Sequence, residues 1–397
     1  MAMAPSPPPE TVLDVVRADG PAAVLGIGTA IPANCVTQDE YPDWYFRVTE
    51  SEHLTKLKAK MRRICDKTDI KKRHFYHSEE MIAGHPELFE RARPSLGTRL
   101  GVAEFALPEL AVAAAATAVA EWGRPAADIT HLVVGTNAGA SAPGADLRMA
   151  ALLGLRPTVQ RTIIYLRGCS AGYTALRVAK DIAENNRGAR VLVAGADITL
   201  PAFTAPDEAD LDALIVMAVF GDGAGAAVVG ADPILPIEHP IFQMVSVSQT
   251  TIAGTEHKVS LQLRERGLGY KISGEVQALV RDNVEQCLVD ALMPLGLTGD
   301  GDWNHLFWAM HPGGRAVLDS YEAALRLNPQ KLAASRRVLR EYGNTSSAAI
   351  FFVLDELRRR RHDRDGERCE WGAMVGLAPG LTIETMVLRA TTGGRDE

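Results

Sequence analysis

The chain has 397 residues, 47% of them hydrophobic and 23% charged. At ~150 residues per domain that length allows two or three domains or two large halves. It buries enough surface to need no disulfide framework, and the composition excludes disordered and collagen-like classes. With 42 Lys and Arg against 49 Asp and Glu the formal charge is −7, which argues against bulk nucleic-acid binding, since that needs a net basic face.

Residues 1–19, opening MAMAPSPPPE, read as a disordered Pro-rich tail without the basic and apolar regions of a signal peptide. Short β-like runs then alternate with helical patterns, which predicts an α/β fold. Strands are expected at Ala23–Gly28, His131–Gly135, Thr162–Leu166, Val191–Ala194 and Ala226–Gly230. The longest apolar stretch, Leu110–Ala120, is too short to span a bilayer and reads as a buried helix, so no membrane span is expected. Two prolines in Ala231–Pro236 follow a strand, which places the boundary between halves 20–232 and 233–391, with a tail at 392–397.

A weak internal repeat supports two similar halves. His131 and His305 each open a strand, and 38 and 39 residues later stand Cys169 and Asn344. Each of these precedes a helical pattern, Ala171–Asn186 and Ser346–Arg361, and then a further strand, Val191–Val193 and Ala373–Val375.

Five cysteines, at 35, 65, 169, 287 and 369, are widely spaced and form no CxxC. Neither a disulfide framework nor a metal site is expected, and the setting reads as a reducing cytoplasm. Cys169 differs from the others: it follows an apolar strand and Gly168 and opens a helix, where the macrodipole favours a thiolate nucleophile. The plain alternative is a small buried hydrophobe. His311 ends a strand and enters Pro312-Gly313-Gly314, the kind of place where α/β folds bind ligands. As an imidazolium it would hold a thiolate and donate to an oxyanion; otherwise it is a packed loop histidine. Asn344 reads either as a helix cap or as an amide donor to a carbonyl oxygen.

Gly221-Asp222-Gly223-Ala224-Gly225 looks like a phosphate loop but leads into a strand and lacks the GK[ST] ending, so a tight turn is the better reading. Lys60, Arg63 and Lys67 share one helical face, either as solvated surface or as a grip for phosphates.

These residues in this order resemble the plant type III polyketide synthases, the family of chalcone, stilbene, curcuminoid and alkylresorcinol synthases. The resemblance runs from about Gly20 to Thr391 and rests on Tyr45–Thr49, Gly144-Ala145-Asp146, Leu153–Pro157, Gly168-Cys169, Phe220–Ala224, His311–Gly314 and Gly343-Asn344. It implies a thiolase-like five-layered αβαβα fold made of two similar halves, and a homodimer. It implies that Cys169 takes a starter acyl group from CoA, and that His311 and Asn344 hold the malonyl-CoA thioester oxygen during decarboxylation. Phe220 becomes a gate, Lys60, Arg63 and Lys67 contacts for CoA phosphates, and Gly313 and Ala316 lining of the pantetheine tunnel. No metal or other cofactor is implied, because CoA thioesters are substrates and decarboxylation itself makes the carbanion.

Within that resemblance the substrate pocket falls on Asn137, Ala138, Thr199, Ala202, Leu261, Tyr270 and Ser346. Asn137 is similar to curcuminoid synthases; Ala202 with Tyr270 and a large residue at 261 is similar to alkylresorcinol synthases. Ala142 stands where a Met usually reaches the partner's site, and Leu377-Ala378 replace part of a GFGPG cyclisation loop. The departures point away from chalcone formation. The expected reaction is extension of an acyl-CoA starter by malonyl-CoA to tri- or tetraketide pyrones or resorcinols. The alternatives are a curcuminoid- or chalcone/stilbene-type synthase using p-coumaroyl-CoA, and a catalytically weak scaffold relative. A carrier-protein ketoacyl synthase and a papain-like protease share Cys, His and Asn, but the cationic face disfavours the first and the mid-chain position of Cys169 the second.

Overall fold

The computed structural model describes residues 16–90, 92–361 and 368–391. Most of the expected Pro-rich tail, residues 1–15, and the tail 392–397 lie outside the described residues. Residues 16–19 belong to the fold: Arg187 N donates to Val16 O, and Asp19 N donates to the Asp232 carboxylate.

The strands are β1 (Ala23–Ala30), β2 (Asn34–Thr37), β3 (Lys72–Phe75), β4 (His131–Thr136), β5 (Gln160–Tyr165), β6 (Arg190–Asp197), β7 (Gly223–Gly230), β8 (Phe242–Thr251), β9 (Val259–Arg264), β10 (Gly267–Ile272), β11 (Phe307–Met310), β12 (Trp371–Ala378) and β13 (Thr382–Ala390). Nine of them form one mixed run in the order β11-β12-β13-β8-β1-β7-β6-β4-β5. Only two residue pairs, Ala23 with Gln243 and Val24 with Phe242, join β1 to β8. The run is therefore two sheets, one from each half, meeting at a narrow seam.

The sheets stack with helices into five layers, αβαβα. Helices Ala171–Asn185 and Ala349–Arg361 fill the middle and share one core with residues of both sheets. Glycine sets that spacing: a Cβ on Gly172 would stand 2.2 Å from Ser347 O. Helices Val276–Leu292 and Arg315–Ala324 cover the second sheet.

Helix Leu96–Trp122 covers the first sheet and is much longer than the apolar stretch 110–120 suggested. Glu104 and Glu109 interrupt its hydrophobicity but fall on the outer face, so they do not end it. By length and composition it could cross a membrane. Its buried Ala103, Ala106, Leu107, Ala111, Ala114, Ala118 and Trp122 recur every three or four residues and face β1 and β7. It is a core helix.

The internal repeat is present as a strand, a 3-10 turn and a middle helix in each half. Gly168–Ser170 precedes the first middle helix and Ser346–Ala348 the second. The strand expected at His305 begins at Phe307, because Asp302 caps a 3-10 turn over Trp303–His305.

One buried group makes the fold acid-sensitive. His77 packs against the rings of Phe75 and Phe203, with centroids 5.2 and 5.0 Å away. It is fully buried, and burial pushes its pKa down to about 3. The unfolded chain binds this proton below about 6.5 and the folded chain does not, so stability is full above 6.5 and falls as pH drops toward 3. At pH 5 the loss from this group is about 2 kcal/mol. A His77→Phe protein keeps the aromatic packing, and its Tm is expected to fall less between pH 7 and 5 than that of the parent.

Candidate active site

The site lies where the two 3-10 turns meet. Gly168, with φ of 66°, makes the sharp turn that presents Cys169. A side chain there would also meet Pro379, whose Cδ stands 2.6 Å from the Cβ position. Asn137 clamps this turn at both ends: its Oδ1 accepts from Gly168 N at 2.7 Å and its Nδ2 donates to Gly168 O at 3.0 Å. The same amide donates to Asp197 at 3.0 Å and Ser346 Oγ at 3.2 Å. Asn137 is thus a support of the Cys169 turn as well as part of the cavity wall.

Asn344 Nδ2 points at Cys169 Sγ, 3.8 Å away, and lies 3.4 Å from Gly313 O. Its Oδ1 accepts from Ser346 N at 2.9 Å, a local turn bond two residues on; the cap position of the following 3-10 turn is Thr345, not Asn344. His311 enters from the end of β11 beside Gly313: a Cβ on Gly313 would be 3.1 Å from His311 Cδ2. His311 is buried, and neither ring nitrogen has a hydrogen-bond partner among the described residues. Two unsatisfied buried nitrogens are costly unless a ligand completes them.

The electrostatics correct one expectation. Burial pushes the half-buried Cys169 thiol up to about 11, against hydrogen bonds from Asn344 and Ser346 that pull it down. Burial also pushes His311 down to about 4. Burial thus works against the thiolate at Cys169 and the imidazolium at His311, opposing the helix dipole at Cys169.

A small, tight cavity adjoins this centre, lined by Asn137, Ala138, Thr199, Ala202, Tyr270 and Ser346 among others. Five of the expected pocket residues are partners of Tyr270 on that wall; Leu261 is not in the wall. It sits opposite Tyr270 on the β9–β10 hairpin, and its Cδ1 is 3.4 Å from the Cβ position of Gly168. Phe220 also lines the cavity and touches Tyr270, with ring centroids 5.4 Å apart.

Lys60 and Arg63 lie on helix Thr55–Asp66 and Lys67 caps its C-terminus. Lys58 and Arg62 of this segment pair with Asp43, whereas Lys60, Arg63 and Lys67 have no acidic partner among the described residues. Ala316 is exposed at the start of helix Arg315–Ala324, three residues after Gly313. Ala142 is exposed in the bend between β4 and helix Ala145–Leu152.

Two expectations change. Leu377 and Ala378 belong to β12, paired with Ile383 and Thr382, and the following Pro379-Gly380-Leu381 forms the turn. Positive φ within this turn falls on Gly380 (φ 68°) and Leu381 (φ 28°), outside the strand. The glycines of Gly221–Gly225 serve packing: a Cβ on Gly225 would be 2.3 Å from Phe351 Cβ. Asp222 among them accepts from Tyr76 N and Thr199 N, and burial pushes its pKa up to about 6.

Asp197 was missed. It receives Asn137 N, Asn137 Nδ2, Thr136 Oγ1 and Ser347 N, so one carboxylate ties both 3-10 turns together. It ends a strand in an Ala-Gly-rich run with no linear motif around it.

With the site in place, the comparisons with known proteins decide its family. The family model for chalcone and stilbene synthases, N-terminal domain, matches residues 10–233, and that for the C-terminal domain matches 243–392. The chain belongs to the chalcone and stilbene synthase family. It is also 55% identical over 379 residues, 95% of this chain and 94% of the relative, to a bisdemethoxycurcumin synthase of Oryza sativa subsp. japonica. The five-layered fold is therefore the family's thiolase-like fold, and the chain is a type III polyketide synthase, an acyltransferase that uses malonyl-CoA and acyl-CoA substrates.

Proposed function

We propose that Cys169 carries the starter, that His311 and Asn344 drive decarboxylation, and that the product is a curcuminoid-type diketide coupling. The observation that supports the centre is the Asn344 amide aimed at Cys169 Sγ at 3.8 Å beside a buried His311 with two free nitrogens.

Neutral His311 is the form that loading needs. It takes the Cys169 proton as Sγ attacks the starter thioester, and passes it to the leaving CoA thiolate. The C–S bond to CoA breaks as the bond to Cys169 forms. Malonyl-CoA then loses CO₂, and the electron pair of that C–C bond becomes an enolate. The His311 N–H and the Asn344 amide donate to the enolate oxygen, charge that exists only late in the step, so they favour the transition state over the ground state. The enolate carbon attacks the acyl group, Cys169 leaves, and a diketide-CoA results. No metal or other cofactor takes part in this scheme. Phe220 and Tyr270 would narrow the way in and keep water from the enolate.

The coupling follows by ordinary carbon balance. Water hydrolyses the diketide thioester, releasing CoA. The β-keto acid loses CO₂ and its carbon attacks a second acyl group on Cys169, joining two acyl units through one CH₂. The named relative favours this product from aryl starters such as p-coumaroyl-CoA. A second reading, longer acyl starters giving tri- or tetraketide pyrones or resorcinols, draws on Ala202. Ala202, Val216, Leu268 and Tyr270 line both the cavity and an open groove beside it.

Labelled malonyl-CoA offered with p-coumaroyl-, feruloyl-, hexanoyl- and long-chain acyl-CoA separates the readings by mass spectrometry. Symmetric coupled products from aryl starters support the first. Labelled pyrones or resorcinols from alkyl starters support the second, and no extension of any starter favours a scaffold.

Lys60, Arg63 and Lys67 would hold CoA phosphates. Changing all three to Ala is expected to raise KM for CoA thioesters by about tenfold or more while kcat stays near the parent value, the pattern of lost ground-state binding. Steady-state kinetics with malonyl-CoA checks this. The working unit would be a cytoplasmic homodimer, with the edge strand β5 and exposed Phe105, Leu147 and Leu152 as contact candidates and Ala142 near the partner.

A further inference from the structure

Helix Leu211–Val219 runs directly into Phe220, and it ends without a left-handed glycine: Phe220 is extended, with φ −80° and ψ 147°. The last carbonyls of such a helix need other donors. Each has one. Phe220 N donates to Val216 O at 3.0 Å. Arg73 Nη1 donates to Met217 O and to Phe220 O, both at 2.7 Å. Gln38 Nε2 donates to Ala218 O at 2.8 Å, and Asn344 N donates to Val219 O at 2.9 Å. Asn344 O in turn accepts from Gly221 N at 3.0 Å, so the gate and the Asn344 backbone form a single seam.

Arg73 is the centre of this seam. It is fully buried and has no carboxylate within ion-pair distance among the described residues. A buried cation without a counter-ion is expensive. Its compensation is the negative end of the helix and its carbonyls, with the Tyr41 ring 3.8 Å beneath the guanidinium. Gln38 Oε1 accepts from its Nε at 2.9 Å, fixing the plane of the fork. Glycine makes room on the Asn344 side: a Cβ on Gly343 would be 2.8 Å from Arg73 Cδ.

We propose that Arg73 is a positioning residue that holds the Phe220 gate and the Asn344 backbone in register, and so couples decarboxylation to condensation. This rests on the reading of Phe220 as a gate. Arg73 touches no reacting atom; it acts through the carbonyl of Phe220. A lysine keeps the charge but not the planar fork, and cannot hold Met217 O, Phe220 O and Gln38 together. The gate then loosens, water reaches the enolate, and more malonyl-CoA ends as acetyl-CoA without condensing.

The readout is acetyl-CoA released per condensed product, measured with labelled malonyl-CoA in the parent, Arg73→Lys, Phe220→Ala and the double variant, with Tm recorded for each. The expected rise for Arg73→Lys is about threefold or more, well short of the ~10²-fold that a 1 Å misplacement of reacting groups can cost. In the Phe220→Ala background Arg73→Lys should add nothing, since the ring it positions is gone. A purely structural role lowers both outputs alike and leaves the ratio unchanged; that result overturns the proposal, as do fully additive effects. If Phe220→Ala itself leaves the ratio at the parent value, the gate reading fails first and takes the proposal with it. Should Arg73→Lys not fold, Gln38→Leu frees Ala218 O and unpins the guanidinium. The ratio is expected to rise there too, and an unchanged ratio again overturns the proposal.

Discussion

A Cys169→Ala protein is expected to lose condensation by roughly 10³-fold or more, the scale seen when a covalent enzyme loses its nucleophile. The same protein should still decarboxylate malonyl-CoA, because His311 and Asn344 are untouched. Cys169 is half-buried and alanine fills most of its space, so the fold should hold with little change in Tm. Acetyl-CoA formation and product formation, followed separately, check both halves. Loss of both together would place Cys169 in malonyl-CoA binding or in folding instead.

The second large effect is expected at Asn344. In Asn344→Asp the Oδ1 acceptor for Ser346 N is kept, so the local turn survives. The donor facing Cys169 is lost and a negative charge stands where the enolate forms. Decarboxylation should fall by about 10²–10³-fold, the cost of one oxyanion donor. Starter loading should fall far less, since Asn344 serves the malonyl step in this scheme. Asn344→Ala also removes the turn acceptor and leaves Ser346 N unpaired at a cost of about 1–3 kcal/mol. Its Tm should therefore drop where that of the aspartate variant does not. Malonyl-CoA turnover without starter, set beside acyl transfer without malonyl-CoA, measures the two steps apart.

Much of the architecture is written locally in the chain. β1, β4, β6 and β7 are short apolar runs that stand where the alternation put them, longer by one to four residues. The repeat linking Cys169 to Asn344 is legible because both turns precede middle helices packed on the same core. Other features arise only on folding. Helix Leu96–Trp122 hid its length behind outward glutamates. Asp197 and Arg73 gather partners from segments up to 150 residues away, which no linear spacing reports. The resemblance placed Leu377 and Ala378 in a cyclisation loop, yet pairing with β13 carries the strand to Ala378. The burial that opposes charge on Cys169 and His311 is likewise absent from the sequence, where only the helix dipole is visible.

Intact-protein mass spectrometry of the chain mixed with a starter acyl-CoA and no malonyl-CoA, followed by peptide mapping, tests the central claim most directly. The account predicts one acyl group on the peptide carrying Cys169, which disappears as malonyl-CoA is added and labelled diketide forms. An acyl group on another residue, or one on Cys169 that malonyl-CoA does not consume, would contradict it.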